Sequence, residues 1–128
     1  MASATQTNIE TVQRVYDEFN EGNIDSVLAT MADDIEWSEP EGFVFGGTYR
    51  SPAAVLENVF EPARGEFKAF KVEPDRFVDG GDTVVALGTF RATTEAGEQI
   101  ESPFAHVFDL SDGRIARFAN HTDTALWR

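Results

Sequence analysis

Glu39 is the carboxylate of this chain whose sequence neighbours best suit proton-transfer chemistry. It lies in the stretch DDIEWSEPEGF, between Trp37 and Phe43. A carboxylate held against these aromatic rings would lose part of its hydration, and its pKa would rise toward the neutral range in which it can accept and return a proton. The alternative is a solvated glutamate in a loop, because Glu36 and Glu41 flank it. The sequence leaves both interpretations open.

Four aromatic side chains have the character of pocket-lining residues. Tyr16, Trp37 and Tyr49 each combine an apolar ring with a polar atom, so they can cover an apolar ligand and still form a hydrogen bond. Phe60 falls on the inner face of a predicted helix. For each of the four, a place in the core or at its rim is the alternative interpretation.

The two histidines are the other side chains that can titrate near neutral pH. Both lie in segments that alternate with the period of a β-strand, and this spacing puts His106 on one face with Phe104 and Phe108. We include His106 and His121 among the candidate ligand-binding residues; a sheet or subunit-interface face is the alternative for His106. Since the chain has no cysteine and the histidines fall on separate strands, we predict no metal site.

Helices are predicted in the first half of the chain. Thr7 and Glu10 form a capping-box pattern, and the apolar residues that follow recur at helical spacing as far as Gly22. A second helix is predicted from residue 24 to residue 32, with Asn23 as its cap. Ser51, followed by a proline, is typical of the start of a third helix, which we expect to end at the proline of position 62.

Strands are predicted in the second half. The apolar period changes to two after residue 66, and turn sequences separate four segments. A short strand near 35–39 is expected to join them. Helices followed by an antiparallel meander predict one α+β domain over residues 1–128, with a cavity between the helices and a curved sheet. The four long segments are 67–78, 83–94, 99–110 and 114–123.

The composition limits the possible partners. The chain has 128 residues and a net charge of −13, which disfavours nucleic acid and anionic membranes. It contains no apolar run long enough for a bilayer and no signal-peptide pattern at its start, so we expect a cytoplasmic protein. The acidic balance indicates either a halophilic source or an ordinary acidic protein.

Three motifs, in this order of elements, resemble the nuclear transport factor two-like superfamily. VQRVYDEFNEGNIDSVLATMADDIEW is similar to the opening helical pair of its ketosteroid isomerases and SnoaL-like polyketide cyclases. GTYRSPAAVLENVF is similar to their third helix, and SPFAHVFDLSDGRIARFANHTDTAL to their last hairpin. The resemblance covers nearly the whole chain and implies a cone-shaped α+β fold. Because one fold hosts many activities, the activity must be argued from the site.

The resemblance to the isomerases implies a role for Glu39. Those enzymes carry an Asp-Pro after the second helix, and Glu39-Pro40 stands in the matching place. Their enolate is stabilised by a protonated Asp and a Tyr, but the matching positions here hold Ala105 and Val15, with Tyr16 one position away. The resemblance therefore implies a proton-shuttling Glu39 without an oxyanion hole of that design, and we do not expect steroid isomerisation.

The resemblance to the cyclases implies a role for Asp123. Cyclases and limonene-type epoxide hydrolases carry an Asp near the end of the last long strand, where this chain has Asp123. In the cyclases it resembles an acid/base for an intramolecular aldol closure, which needs no metal or cofactor. A cap or a surface carboxylate is the alternative. The hydrolases also need an Arg-x-Asp, which Arg91 does not supply, so epoxide hydrolysis is not expected.

Two strand faces stay open. The isomerase match turns Ala105 toward the pocket and His106 away from it. On the last strand the same match turns Asn120 toward the cavity, whereas the cyclase match turns His121 and Asp123 toward it. A bulge or the strand end could reconcile the two. We keep Asn120 as a candidate ligand-binding residue.

We therefore predict a cofactor-independent enzyme of the SnoaL-like cyclase/isomerase type, which transfers protons on an apolar carbonyl substrate. Asp123 and Glu39 are the predicted catalytic residues. The alternative is a non-catalytic protein of the same fold that binds an apolar small molecule or acts as a dimeric scaffold. Because the helices leave the convex sheet face uncovered, we also predict a two-fold homodimer through that face.

Overall fold

The computed structural model describes residues 7–127, in which helices cover one face of a six-stranded sheet. The first helix, α1, spans Asn8–Glu21. Thr7 caps it as predicted: its side chain accepts from the Glu10 backbone N–H, and the Glu10 side chain accepts from the Thr7 backbone. Gly22, with φ of 84°, ends it in the left-handed conformation that glycine adopts without strain.

The second helix is shorter than predicted. α2 spans Ile24–Leu28, and the first strand, β1, begins at Met31, a residue we had expected on the helix. The chain joins the sheet at this point, where the Ile115 backbone N–H donates to the Thr30 carbonyl at 2.8 Å. The strand therefore runs Met31–Glu39, four residues longer at its start than the predicted 35–39.

The third helical segment continues past Pro62, so the prediction that this proline ends it is wrong. The segment consists of α3 (Pro52–Val55), a π-helical turn (Leu56–Phe60) and α4 (Glu61–Gly65). In the wider turn the Glu61 N–H donates to the Leu56 carbonyl, five residues back. The wider turn lies directly before Pro62, which has no N–H to donate to a carbonyl one turn back, and the helical segment continues past it as α4.

The four long strands agree with the predicted segments. They are β3 (Phe67–Gly80), β4 (Thr83–Thr94), β5 (Gln99–Ser111) and β6 (Arg114–Thr122), followed by a 3₁₀ turn at Thr124–Trp127. The strand order is β2-β1-β6-β5-β4-β3.

Two features of the sheet were not predicted. Gly47–Tyr49 forms the edge strand β2 rather than only a turn, and β1 pairs in parallel with β6. The α+β class is confirmed.

Gly88 of β4 lies where an added side chain would collide with β3. It lies opposite an irregularity in β3 between Pro74 and Arg76. A Cβ at Gly88 would come within 2.7 Å of both Pro74 Cα and Phe104 Cζ. Glycine is therefore required at this point, and the irregularity helps to curl the sheet around the helices.

The core lies between the helices and the concave face of the sheet. Alternate residues of the strands are buried there, as the burial of Val84, Ala86 and Phe90 on β4 shows. Within residues 7–127, no helix is both long enough and apolar enough to cross a bilayer.

Candidate functional site

A cavity lies inside the cone, between α1, the third helical segment and the concave sheet face. Its volume is about 60 Å³, enough for a few water molecules. Among the described residues that line it, four carry polar side-chain atoms: Tyr16, Trp37, Glu39 and His106. The remaining lining residues are aliphatic or aromatic, so a polar group of a ligand has few places to bind.

Glu39 reaches the cavity because it continues the buried face of β1. Ile35, Trp37 and Glu39 alternate with more exposed residues, and Glu39 is 9% exposed. The parallel pairing sets Trp37 opposite Phe118, with ring centroids 3.8 Å apart. The next inward position of each strand then brings Glu39 beside Asn120. The interpretation of Glu39 as a solvated loop glutamate is therefore wrong.

Two neutral donors hold the Glu39 carboxyl group. Trp37 Nε1–H donates to Oε2 at 2.7 Å, and Asn120 Nδ2–H donates to Oε1 at 2.9 Å. Within residues 7–127, no lysine or arginine forms an ion pair with it. Burial raises its pKa from 4.5 to about 7, against the two hydrogen bonds, which lower the pKa. The group can therefore exist in both protonation states near neutral pH.

His106 faces the cavity from β5. Its Nδ1 lies 2.7 Å from the hydroxyl oxygen of Tyr16, and its ring stacks on Phe104 with centroids 3.9 Å apart. Burial lowers the pKa of His106 to about 3, and His121 acts in the same direction, whereas Asn120 opposes it. Burial, together with the charge of Glu39, raises the pKa of Tyr16 well above 10. At neutral pH both side chains are uncharged.

Three polar side chains form a row across the sheet. Glu39 of β1 is bonded to Asn120 of β6, and Asn120 is the register partner of His106 on β5. Asn120 is 3% exposed. Its Oδ1 and the Nε2 of His106 are buried and have no hydrogen-bond partner among the described residues. This row brings buried polar side chains to the edge of a cavity whose lining is otherwise largely apolar.

The structure brings most of the predicted site residues together. Tyr16, Trp37, Phe60 and His106 line the cavity with Glu39, and Asn120 contacts the carboxyl group. The expectation that Ala105 turns inward is wrong, because the β5 register gives the inner face to Phe104, His106 and Phe108 and leaves Ala105 on the other face. The sequence alternation of these three residues contained that information.

Asp123 lies outside the cavity, contrary to the prediction. β6 ends at Thr122, and the chain then turns into the 3₁₀ segment, so Asp123 is exposed. Its carboxylate accepts a hydrogen bond from the Ala125 N–H at 3.1 Å, which makes it a cap. His121 is also exposed, because the strand period that buries Asn120 turns its neighbour outward, opposite Ala105.

Tyr49 does not line the cavity either. It lies on the edge strand β2, is partly buried, and donates its hydroxyl hydrogen to the loop carbonyls of Phe45 at 2.7 Å and Gly46 at 3.0 Å. The loop residues Phe43 and Phe45 line the cavity instead. Sequence reasoning noted Phe43 only as a neighbour of Glu39 and passed over Phe45, because neither falls in a periodic segment.

A metal ion would need several side chains that could bind it together. Within residues 7–127, no group of three or more histidine, aspartate or glutamate side chains is placed to hold a metal ion. What the arrangement can do chemically is accept and donate a proton at Glu39, inside a cavity lined mostly by apolar side chains.

Comparisons with known proteins give the following matches. A protein-family model for the SnoaL-like domain matches residues 12–118. No curated protein matches the sequence. An NTF2-like protein from Burkholderia thailandensis E264 is 32% identical over 95% of each chain, with a TM-score of 0.91. One from Burkholderia pseudomallei K96243 is 31% identical over 94% of each chain, with a TM-score of 0.85. TerC, co-crystallised with polyporic acid, is 30% identical over 92% of each chain, with a TM-score of 0.83.

Proposed function

This chain belongs to the SnoaL-like domain family of NTF2-like proteins, and from that starting point we propose that it is a cofactor-independent enzyme that moves protons on an apolar carbonyl substrate inside the cone. Glu39 is the acid/base. The observation that carries the proposal is the burial of this carboxyl group in an apolar cavity, held only by neutral donors, with its pKa at about 7.

The reaction class follows from what one carboxylate can do alone. Ionised Glu39 takes a proton from the carbon next to a substrate carbonyl and leaves an enolate. In an isomerisation it returns that proton at a different atom. In a cyclisation the enolate carbon forms a bond to a second carbonyl carbon of the same molecule, and Glu39 gives its proton to the new alkoxide oxygen. No oxidant, reductant or metal enters either balance.

Ligand binding in a related protein supports a small-molecule site. TerC was co-crystallised with polyporic acid, and TerC is 30% identical to this chain over nearly its whole length. The present cavity of about 60 Å³ suits only a small group, so a larger substrate has to displace side chains. Phe43 and Phe45 are the residues we expect to move, because they come from a loop rather than from the sheet.

The second candidate is a protein that binds an apolar small molecule without reaction. It is favoured by one observation: the two neutral donors nearest Glu39 are already bonded to it, which leaves no described N–H pair aimed at a developing oxyanion. The two candidates make the same prediction for binding and opposite predictions for turnover.

The test is turnover of a panel of apolar ketones and polyketone-type compounds by wild type and by Glu39→Gln. The enzyme proposal expects loss of at least about a hundredfold in rate, the usual contribution of a general base, with binding largely retained. Glu41→Gln is the matched control, because it removes an exposed carboxylate two residues away. Asp123→Asn is a second control and is expected to retain full activity. Equal rates for wild type and Glu39→Gln would reject Glu39 as the acid/base.

We also propose a homodimer through the convex face of the sheet. Small and apolar side chains of β4, β5 and β6 stand next to one another on the face opposite His106, and they are only partly buried in the single chain. A two-fold pairing would cover the same patch on both chains. The patch consists of Val85, Leu87, Ala105, Val107 and Ala119.

Salt distinguishes an apolar interface from one made by ion pairs. Each chain carries a net charge of −13, so two chains repel each other at low salt. If apolar burial holds the dimer, sedimentation should show stronger association as salt rises, which would also suit a halophilic source. A chain that stays monomeric at every salt and protein concentration would contradict the dimer.

A further inference from the structure

The polar row continues from Asn120 through His106 to Tyr16. Tyr16 and His106 share the hydrogen bond at 2.7 Å, and Asn120 and Glu39 share the one at 2.9 Å. Between these two pairs stand the two buried atoms without partners, His106 Nε2 and Asn120 Oδ1. Tyr16 makes no hydrogen bond to Glu39, so any hydrogen-bonded influence of its hydroxyl on the carboxyl group has to pass through His106 and Asn120.

The protons of the row can be placed from this geometry. Tyr16 is buried, with 4% of the residue exposed. The only hydrogen-bond partner of its hydroxyl among the described residues is His106 Nδ1. A buried hydroxyl hydrogen needs an acceptor, so Tyr16 donates and Nδ1 accepts. A neutral imidazole has one N–H, which must then be on Nε2.

The same reasoning orients the amide of Asn120. Its Nδ2 end points at Glu39 Oε1, so Oδ1 is the end left for its register partner, His106. An N–H on Nε2 and a free amide oxygen are complementary. Asn120 also raises the pKa of His106, against the effect of burial, as a hydrogen-bond acceptor beside the ring would do.

We propose that Tyr16 and His106 are positioning residues, which fix the Asn120 amide so that its N–H end, and not its oxygen, faces Glu39. Tyr16 sets the tautomer of His106, and the tautomer sets the amide. The catalytic importance of this arrangement rests on the proposed function of Glu39, whereas the arrangement itself does not.

Removal of the Tyr16 hydroxyl is expected to change first the tautomer of His106 and then the orientation of the Asn120 amide. In Tyr16→Phe the ring remains, but Nδ1 loses its donor, and His106 becomes free to carry its proton there. Nε2 then becomes an acceptor, and Asn120 can turn its N–H end toward it. The amide oxygen would then face Glu39, where it disfavours the carboxylate and favours the protonated acid.

The titratable groups around the row do not obscure this effect. Tyr16 and Tyr49 are the groups whose pKa values respond to the charge of Glu39, and both are raised, which keeps the phenols neutral. His121 acts on His106 from the exposed face of β6. None of these groups changes between the variants compared below, apart from the hydroxyl that is removed.

Protonation of Glu39 can be followed without any substrate. The indole N–H of Trp37 donates to Glu39 Oε2, so its NMR resonance should titrate with the carboxyl group. The chain has two tryptophans, and Trp127→Phe assigns the two indole signals. We expect a midpoint near pH 7 in wild type and a midpoint higher by about one pH unit or more in Tyr16→Phe, a tenfold or larger increase in proton affinity.

Two controls accompany this measurement: a second tyrosine variant, and a direct determination of the His106 tautomer. Tyr49→Phe also removes a hydroxyl from a tyrosine that senses the charge of Glu39, but its hydroxyl bonds only to the loop carbonyls, so the midpoint should not move. The nitrogen chemical shifts of His106 in wild type report the tautomer directly and require no substitution. Proton on Nδ1 in wild type, or an unmoved midpoint in Tyr16→Phe, would overturn the inference.

The outcome is independent of the proposed reaction. If Tyr16→Phe shifts the midpoint while Glu39→Gln keeps full turnover, the positioning row stands and Glu39 is not the acid/base. If Glu39→Gln loses turnover while the midpoint does not move, the acid/base stands and the positioning row fails.

Discussion

Replacing Glu39 by glutamine should change how stability depends on pH. The folded chain holds this carboxyl group at a pKa of about 7, against 4.5 for a glutamate in water. Because the folded pKa is the higher one, the folded state binds more protons between these values, and stability is lost as pH rises from 4.5 to about 7. The loss corresponds to about 3 kcal/mol. Glutamine does not titrate, so the variant should not show this loss.

The difference between the two proteins isolates this effect. His106 has the opposite effect: its folded pKa of about 3 lies below the value of 6.5 for a histidine in water, so its contribution to stability is lost as pH falls below 6.5. It is present in both proteins and cancels in the difference, as does the repulsion among the surface charges. If glutamine forms weaker hydrogen bonds with Trp37 and Asn120, that cost is the same at every pH. It therefore changes the difference in free energy of unfolding by a constant and does not affect how that difference depends on pH.

The assay is urea unfolding followed by circular dichroism at intervals from pH 4.5 to pH 8, for wild type, Glu39→Gln and the exposed control Glu41→Gln. The free energy of unfolding of Glu39→Gln should gain about 3 kcal/mol on that of wild type across this range. Glu41→Gln should run parallel to wild type. If Glu39→Gln also runs parallel, within about 1 kcal/mol, the carboxyl group is not held near a pKa of 7 and the reasoning fails.

Three further predictions test the surroundings of the site. Trp37→Phe removes a donor to the carboxylate, so the pKa of Glu39 should rise by about one unit, which would move the acid limb of the pH–rate profile upward; an unmoved limb would show that the indole N–H does not stabilise the carboxylate. Gly88→Ala should lower the free energy of unfolding by about 1–3 kcal/mol, because the new Cβ would lie 2.7 Å from the nearest side-chain atom and against the β3 backbone. Gly65→Ala, where a Cβ meets nothing within 4 Å, is the control, and equal urea midpoints for the two variants would contradict the close approach. Leu87→Asp, on the convex sheet face, should leave the circular dichroism spectrum unchanged and give a monomer in sedimentation; a dimer of undiminished strength would exclude this face.

Local rules account for what the sequence predicted well. The capping box at Thr7 and the Ser51-Pro52 start each involve residues within one helical turn, and the hairpin turns between β3 and β6 are short polar sequences. Pro62 misled for the complementary reason. A proline stops a regular α-helix, but a wider turn just before it lets the helical segment continue, and no local pattern announced that turn.

The site itself depends on contacts far apart in the sequence. The hydrogen bond between Glu39 and Asn120 joins residues 81 positions apart and exists because β1 pairs in parallel with β6. Neither strand carries a signal for that pairing. The prediction of Asp123 failed on the same ground, since a family position near a strand end does not reveal where the strand stops; here β6 stops one residue earlier, at Thr122.

The register between β1 and β6 therefore decides whether Glu39 meets Asn120. Side chains alternate with a period of two, so a slip of one residue in β6 would turn Asn120 outward and bring His121 or Ala119 to Glu39. The carboxyl group would then lose a hydrogen-bond donor in a place that water hardly reaches. Two contacts with β6 oppose such a slip: just before β1 the Thr30 carbonyl accepts from the Ile115 N–H at 2.8 Å, and on β1 the ring of Trp37 stacks on Phe118 with centroids 3.8 Å apart. The contacts that hold Glu39 beside Asn120 are thus mostly apolar and backbone contacts, and their loss should move the pKa of Glu39.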